Sequence, residues 1–307
     1  MASKSNKPTK PKKRVMLVVN PKAGKKRSKF AVSDIADLFA KNQFEVAIYF
    51  TSLEYGAEYL VKEHYHQYDI IACCGGDGTV NEIIKGMMET NDNTPLGYIP
   101  AGTTNDLATS LGIPKKLKRA TKAIISEQAY PFDVGTFDDS YFAYIASFGA
   151  FTEVSYNTPQ KAKNVFGHTA YIFAAMKCMH KIKAYHIKVE TDTENAEGDY
   201  IFGAVTNSTS VAGVFKFDSD MVDFADGKYE VLLIKKPKNL LTAFKICMSM
   251  LNRSFKNENI VLFHASDIKI TSEEPLDWAL DGEHKRGEKV VHIKNNPQAV
   301  QIIRKKL

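Results

Sequence analysis

The run Gly75-Gly76-Asp77-Gly78-Thr79-Val80-Asn81-Glu82 joins an apolar stretch, Asp69–Cys74, to a segment in which Val80, Ile83, Ile84, Met87 and Met88 recur at helical spacing. Glycines between a strand and a helix remove Cβ atoms, permit positive φ and let a ligand reach the backbone. The helix that follows opens with unpaired N–H groups and the positive end of its dipole, which suits a phosphate. Asp77 puts a fixed carboxylate into that anion site. The combination makes sense if a cation such as Mg²⁺, or a donor hydroxyl, sits between carboxylate and phosphate. A plain strand-turn-helix with Asp-Gly as turn residues is the simpler alternative.

Three further signatures lie elsewhere. Pro100-Ala101-Gly102-Thr103-Thr104-Asn105-Asp106-Leu107 combines small residues, two hydroxyls able to donate to phosphate, and Asn105 or Asp106 as a helix cap. Asn20-Pro21-Lys22-Ala23-Gly24-Lys25-Lys26-Arg27 lacks the spacing of a Walker loop. Its basic run is either a solvated helix end or a neutraliser of phosphates or lipid head groups. Leu280-Asp281-Gly282-Glu283 reads first as a hairpin, because Asp-Gly between alternating apolar residues is a strong hairpin signal, and Asp226-Gly227 reads the same way. The eight histidines are scattered and form no HExxH pair.

Positioning these residues requires strands and helices in alternation. Val15–Val19, Phe44–Phe50, Asp69–Cys74 and Leu96–Ile99 read as strands, and Lys29–Lys41, Glu54–Tyr68 and Lys116–Ile125 as helices, with a short helix through Leu107. This β-α-β-α order predicts a parallel sheet covered by helices on both faces. The turns after Val19, Cys74 and Ile99 then share the carboxyl edge of the sheet, where ligands bind in such folds. The pattern changes near Pro131. Phe132–Phe137 and Tyr141–Phe148 read as a hairpin, and Ala184–Thr191 and Tyr200–Asn207 as a pair around the Glu194–Gly198 turn. Lys228–Lys235, Ile260–His264, Asp267–Thr271 and Leu276–Leu280 read as strands, with helices at His168–His180 and Asn239–Leu251. The expected fold class is therefore an α/β N-terminal domain plus a mainly antiparallel β-sandwich C-terminal domain. Residues 14–130 form the first, completed by about 292–307; residues 131–291 form the second.

Residues 1–13 form a basic tail, either a solvated arm or an electrostatic attraction to membrane. The chain has 307 residues, 44% apolar and 25% charged, with a formal net charge of +6. That mild excess suits anionic small molecules or an anionic membrane surface, and no nucleic-acid partner is expected. Cys73, Cys74, Cys178 and Cys247 show no CxxC spacing and fit a reducing cytoplasm. No stretch reaches about 18 apolar residues, so membrane lipid would be met from the side.

Asn20–Gly24, Gly75–Glu82, Ala101–Leu107 and Asp281–Glu283, in this order and at these separations, resemble the soluble bacterial diacylglycerol kinase family over nearly the whole chain after the tail. Sphingosine and ceramide kinases are more distant relatives. Gly-Gly-Asp-Gly-Thr is shared with NAD kinases and, more loosely, phosphofructokinases; Ala-Gly-Thr-Thr-Asn-Asp-Leu-Ala is much more specific to the lipid-kinase branch. The resemblance implies ATP binding by Asn20, Pro21, Lys22, Ala23, Gly24, Thr51, Gly75, Gly76, Asp77, Gly78, Thr79, Val80, Asn81 and Thr103. It implies a Mg²⁺-linked site with Glu283 as proton acceptor, Asp77 near the phosphates, and Asp281 supporting Glu283 or the metal. A second, structural Mg²⁺ would sit at Asp226, with Asp223 and Lys228 contributing backbone oxygens. The stretch Asn164–Tyr171 resembles one lining the family's lipid cleft. Ala146-Ser147-Phe148-Gly149 departs from the family's Asn/Gly-rich form, which leaves the acceptor open. The implied activity is phosphorylation of diacylglycerol by a cytoplasmic, peripherally membrane-associated enzyme, with a homodimer left open. The rivals are a soluble NAD kinase and a nucleotide-binding regulator without turnover.

Overall fold

Lys13–Val19 forms β1, and its run from Val15 to Val19 is fully buried, as expected of a strand covered on both faces. In the computed structural model the described residues are 13–23, 27–126, 128–150, 182–211 and 215–305. The expected helix at 168–180, the stretch 164–171, Gly24, Cys178 and nearly all of the basic tail lie outside them. The chain divides into two compact units: Met1–Asn105 with Gly112–Tyr130 and Ile302–Leu307, and Asp106–Leu111 with Pro131–Gln301.

In the first unit β1 is followed by α1 (Arg27–Lys41), β2 (Phe44–Phe50), α2 (Ala57–His64), β3 (Ile70–Gly75), α3 (Asp77–Thr90) and β4 (Leu96–Pro100). The strands run parallel in the order β2-β1-β3-β4. Helix α2 is shorter than the amphipathic stretch Glu54–Tyr68, because Gly56 is its N-cap and Tyr65 already has an extended ψ of 153°. Helix α4 (Asp106–Ser110) groups with the second unit, and α5 (Leu117–Ser126) with the first. At the chain's far end Ile302 pairs in parallel with Leu96, so the last strand returns to the first unit's sheet.

The second unit is built from β5 (Gln128–Phe137), β6 (Ser140–Phe142), β7 (Ile145–Gly149), β8 (Tyr185–Thr191) and β9 (Ala196–Thr206). The short pair β10 (Ser210–Val211) and β11 (Phe215–Lys216) follows, then β12 (Tyr229–Lys235), α6 (Leu240–Leu251), β13 (Ile260–Ala265), β14 (Asp267–Ser272), β15 (Asp277–Leu280), β16 (Glu283–Arg286) and β17 (Val290–Arg304). The strands pair antiparallel where β9 meets β7, β8 and β12, and where β14 meets β8 and β17. Its core centres on Trp278, whose ring lies edge-on to Phe137 and Phe148 with centroids 5.0 Å away in each case. Strand β9 starts at Ala196, not Tyr200, because Val189 already pairs with Ala196 and the turn lies earlier.

One expected strand is broken. Tyr141–Phe148 reads as continuous in sequence, but β6 ends at Phe142 and β7 starts at Ile145. At the break the amides of Ala143 and Tyr144, and that of Ile145 at the head of β7, donate to the carboxylate of Asp281.

Candidate functional site

In the first unit the loops leaving β1, β2, β3 and β4 are tied together at one edge. Asn20 N donates to Cys74 O (3.0 Å), and Asn20 Nδ2 donates to Thr79 Oγ1 (3.0 Å), pinning the turn after β1 to the start of α3. Asn20 Oδ1 also accepts from Lys22 N (2.9 Å), which folds the Asn-Pro-Lys loop back on itself. Thr51 N donates to Val19 O (2.9 Å), and Ala101 N and Gly102 N both donate to Gly75 O (2.7 and 3.2 Å).

Two glycines make this approach feasible. A Cβ on Gly102 would stand 2.6 Å from the Cα of Gly76 and 2.8 Å from Asn105 Oδ1, distances that real Cβ atoms do not reach. Asn105, at φ +53°, closes the turn by accepting from Gly102 N (2.9 Å) and donating to Gly102 O (2.9 Å). Its side chain thus clamps the glycine turn just before α4. Tyr98 OH donates to the same Oδ1 (3.2 Å) and lies 3.4 Å from Asp77 Oδ1.

Gly76 is the N-cap of α3 and no side chain caps it; Thr79 N and Val80 N both donate to Gly76 O (3.1 and 3.2 Å) and close the first turn, whose positive dipole end suits an anion. Asp77 is half-buried at the head of that helix. Thr79, Val80 and Asn81 are buried, and Asn81 Oδ1 has no hydrogen-bond partner among the described residues. Val80 sits in the helix with its amide donating to Gly76 O (3.2 Å), while Lys22 and Thr103 present exposed side chains. Asn20, Lys22, Thr51, Ser52, Gly56 and Glu82 line one pocket. Glu82 closes the Gly75–Glu82 run and has a structural role. Its Oε2 accepts from Ala57 N (2.7 Å) and so fixes the head of α2 beside the Thr51 loop. A contact across 25 positions leaves no local sequence signal. Burial pushes the Cys74 thiol up to about 11 and raises the Cys73 thiol well above its ordinary value, so both behave as small apolar fillers of β3.

The second unit holds Asp281 and Glu283. Asp281 and Gly282 have φ of +51° and +89°, and Leu280 pairs with Glu283, so the hairpin reading of Asp-Gly is correct. The turn also has a chemical feature. Asp281 is only 4% exposed, and its carboxylate accepts from Ala143 N (2.5 Å), Tyr144 N (2.9 Å) and Ile145 N (3.0 Å). Asp281 N donates in return to Ile145 O (2.9 Å). Glu283, two residues on, is exposed at the start of β16. A buried, amide-bound carboxylate thus anchors the turn that carries an open one.

A second buried carboxylate escaped the sequence reading. Asp133 in β5 has no exposure and accepts from Gly227 N (2.7 Å), Asn295 Nδ2 (3.1 Å) and Gln298 N (2.7 Å). Burial raises its pKa and these three hydrogen bonds oppose the rise. The available signal was an Asp inside the apolar run Phe132–Phe137. It holds the loop that contains Asp223, Asp226 and Lys228, where Asp223 Oδ1 accepts from Ala225 N (3.1 Å) and Asp226 Oδ1 from Lys228 N (2.9 Å). Behind this loop Glu230 is buried, its Oε2 has no partner among the described residues, and burial pushes its pKa up to about 9. Among the described residues no three His, Cys, Asp or Glu side chains are placed to hold a metal, so a cation here would depend on backbone oxygens.

Residues 14–137 match the family model described as the diacylglycerol kinase catalytic domain, and residues 146–304 match the YegS C-terminal NAD kinase beta sandwich-like domain. The chain is 30% identical to a diacylglycerol kinase of Bacillus subtilis over 275 residues, spanning 89% of this chain and 90% of that one. A diacylglycerol kinase of Staphylococcus aureus is 28% identical over 274 residues, 89% of this chain and 87% of the other. A crystal structure of a putative diacylglycerol kinase from Bacillus anthracis superposes with a TM-score of 0.80 at 25% identity, covering 95% of this chain and 97% of that one. A second structure from the same organism, titled as a diacylglycerol kinase, gives 0.76 at 22% identity over 97% and 98% of the two chains, a likeness of fold. Both halves of the chain agree with the glycine turns and the Asp281 hairpin, and the chain belongs to the bacterial diacylglycerol kinase family of lipid kinases.

Proposed function

We propose that this chain transfers the γ-phosphoryl group of ATP to the free hydroxyl of diacylglycerol at the cytoplasmic surface of a membrane, giving phosphatidic acid. The observation that carries this reading is the triple tie at the first unit's sheet edge, where Asn20, Thr79, Gly75 and Gly102 lock three glycine-bearing turns around an uncapped helix start. The names of the relatives point to the acceptor.

Phosphoryl transfer asks mainly for positioning and charge neutralisation, and for a base that can take the hydroxyl proton. The backbone of Asn20–Gly24, Thr51 and Gly75–Asn81, with the Thr103 hydroxyl, holds the nucleotide phosphates. All-oxygen donors and a carboxylate at a phosphate site fit Mg²⁺, which would neutralise phosphate charge beside Asp77. A second Mg²⁺ would use Asp226 and the backbone oxygens of Asp223 and Lys228. The hydroxyl oxygen bonds to the γ-phosphorus, the bond to the β–γ bridging oxygen breaks, ADP leaves, and the Glu283 carboxylate takes the proton. Asp281 touches no reacting atom in this scheme; it positions Glu283.

The test is ADP release by purified protein with Mg²⁺ and ATP, offered diacylglycerol micelles, ceramide, NAD or no acceptor. Turnover dependent on diacylglycerol, lost in Asp77→Ala and cut about 10²-fold or more in Glu283→Gln, supports the reading. Turnover with NAD alone would sink it, and nucleotide binding without turnover would favour a regulator.

A further inference from the structure

Helix α6 is apolar on two sides. At 3.6 residues per turn, Ala243, Ile246 and Met250 fall on one arc and are buried. Leu240, Phe244 and Leu251 fall on another arc with Leu241 at its margin, and they are exposed, Leu241 by 64% and Leu240 by 52%. A surface helix ordinarily turns a polar face outward, and one that is apolar all round belongs in a core or against lipid. Four large aliphatic or aromatic side chains on one outward arc of 12 residues form a patch of the kind that marks an interaction site.

Charge selects the occupant. From Lys235 to Asn257 the chain carries Lys235, Lys236, Lys238, Lys245, Arg253 and Lys256 and not one Asp or Glu, a charge of +6 that equals the formal excess of the whole protein. Lys236, Lys238, Lys245 and Lys256 are exposed, and among the described residues Arg253 alone of the six has an ion-pair partner, Asp218 at 2.9 Å. A second copy docked on this face would oppose like charges across an apolar contact. An anionic bilayer offers apolar depth and negative charge together. The helix is far short of the roughly 20 residues needed to span, so it would lie in the plane of the surface.

We propose that α6 is an interfacial docking helix, with Leu240, Leu241, Phe244 and Leu251 entering the head-group boundary of an anionic bilayer and Lys236, Lys238, Lys245 and Lys256 set against lipid phosphates. The proposal rests on the lipid-kinase reading for its purpose, but its geometry is independent of it.

The test is co-sedimentation of the full-length protein with vesicles of phosphatidylglycerol and phosphatidylcholine, or of phosphatidylcholine alone. Replacing Leu241 and Phe244 together by Ser should lower partitioning on the order of 10²-fold, about tenfold per buried side chain, while leaving thermal stability unchanged because both side chains are exposed. Lys236→Gln with Lys238→Gln should weaken binding to phosphatidylglycerol vesicles on the order of tenfold and leave the weak binding to phosphatidylcholine alone as it was. The same apolar variant should phosphorylate dispersed short-chain diacylglycerol at the parent's rate and vesicle diacylglycerol far more slowly. Unchanged vesicle binding in the Leu241/Phe244 variant overturns the proposal, as does loss of self-association in that variant at unchanged vesicle binding. If the parent binds anionic vesicles through these residues yet phosphorylates no diacylglycerol, docking stands and the lipid-kinase reading falls. If short-chain substrate is turned over and the variant still binds vesicles normally, the reverse holds.

Discussion

Asp281→Ala should unfold the second unit's edge more readily than any loss of catalysis would explain. The carboxylate accepts from three backbone amides at 2.5, 2.9 and 3.0 Å and is 4% exposed, so its removal strands buried donors. Hydrogen bonds to a charged group contribute about 1.5–3 kcal/mol each, and they do not add fully once the chain relaxes and water enters. A total loss of about 3–5 kcal/mol follows. In Asp281→Asn the amide oxygen can still accept from Tyr144 and Ile145, but the NH₂ group faces the Ala143 N–H, and a loss of about 1–3 kcal/mol is expected. Trp278 is the chain's single tryptophan, is buried in β15, and so reports this unit directly in a urea titration followed by fluorescence. With a slope of about 2 kcal/mol per molar urea, the Ala variant's midpoint should fall by roughly 1.5–2.5 M. A loss below about 1 kcal/mol for Asp281→Ala would refute the anchoring argument. An Asn variant as stable as the parent, yet as slow as Glu283→Gln, would show that Asp281 takes part in the chemistry.

Gly102→Ala forces a Cβ to 2.6 Å from the Gly76 backbone, and should cost about 1–3 kcal/mol in the first unit and raise the KM for ATP at least tenfold, read by thermal melts and initial rates. Thr79→Val removes the acceptor of the Asn20 amide and should weaken nucleotide binding by about 1 kcal/mol, measured by calorimetry; unchanged affinity would separate the Asn20 loop from the site. His186 has its pKa raised from an ordinary 6.5, first by its hydrogen bond to Asp199 and then by that charge. Its contribution is therefore complete below pH about 6.5 and disappears as pH rises through the higher folded value, so His186→Gln should be slightly less stable than the parent at pH 5.5 and equal to it at pH 9 in matched urea titrations.

What was legible in the sequence followed period and punctuation. Val15–Val19 and Ile70–Cys74 are unbroken apolar runs ended by Asn-Pro and Gly-Gly, and they lie buried in the parallel strands β1 and β3. The alternation of such runs with helical segments placed the three glycine turns on one edge, and Asn20, Gly75 and Thr79 do meet there. Elements set by distant partners were not legible. The apolar character of Tyr141–Phe148 gives no hint that residue 281 takes three of its amides, and Glu54–Tyr68 does not show that Gly56 starts the helix with Glu82 beneath it. Asp133 follows the same logic: its acceptors' partners are residues 227, 295 and 298, more than 90 positions away.

The Asp281 hairpin reconciles two readings that competed on sequence. Asp-Gly with positive φ at both positions is a tight turn, and a turn of this type fixes the register of β15 and β16 so that Leu280 faces Glu283. In the proposed mechanism Glu283, on an exposed strand end, would otherwise be poorly oriented, and loosely held groups lose rate steeply with misplacement. Burying the carboxylate of the preceding turn residue against Ala143, Tyr144 and Ile145 ties that strand end to the broken β6–β7 strand. The broken strand is the structural condition of the anchor, since only amides withheld from a ladder are available to a side chain. In the proposed mechanism Asp281 therefore serves Glu283 by being structural, as the anchor of the turn that carries it.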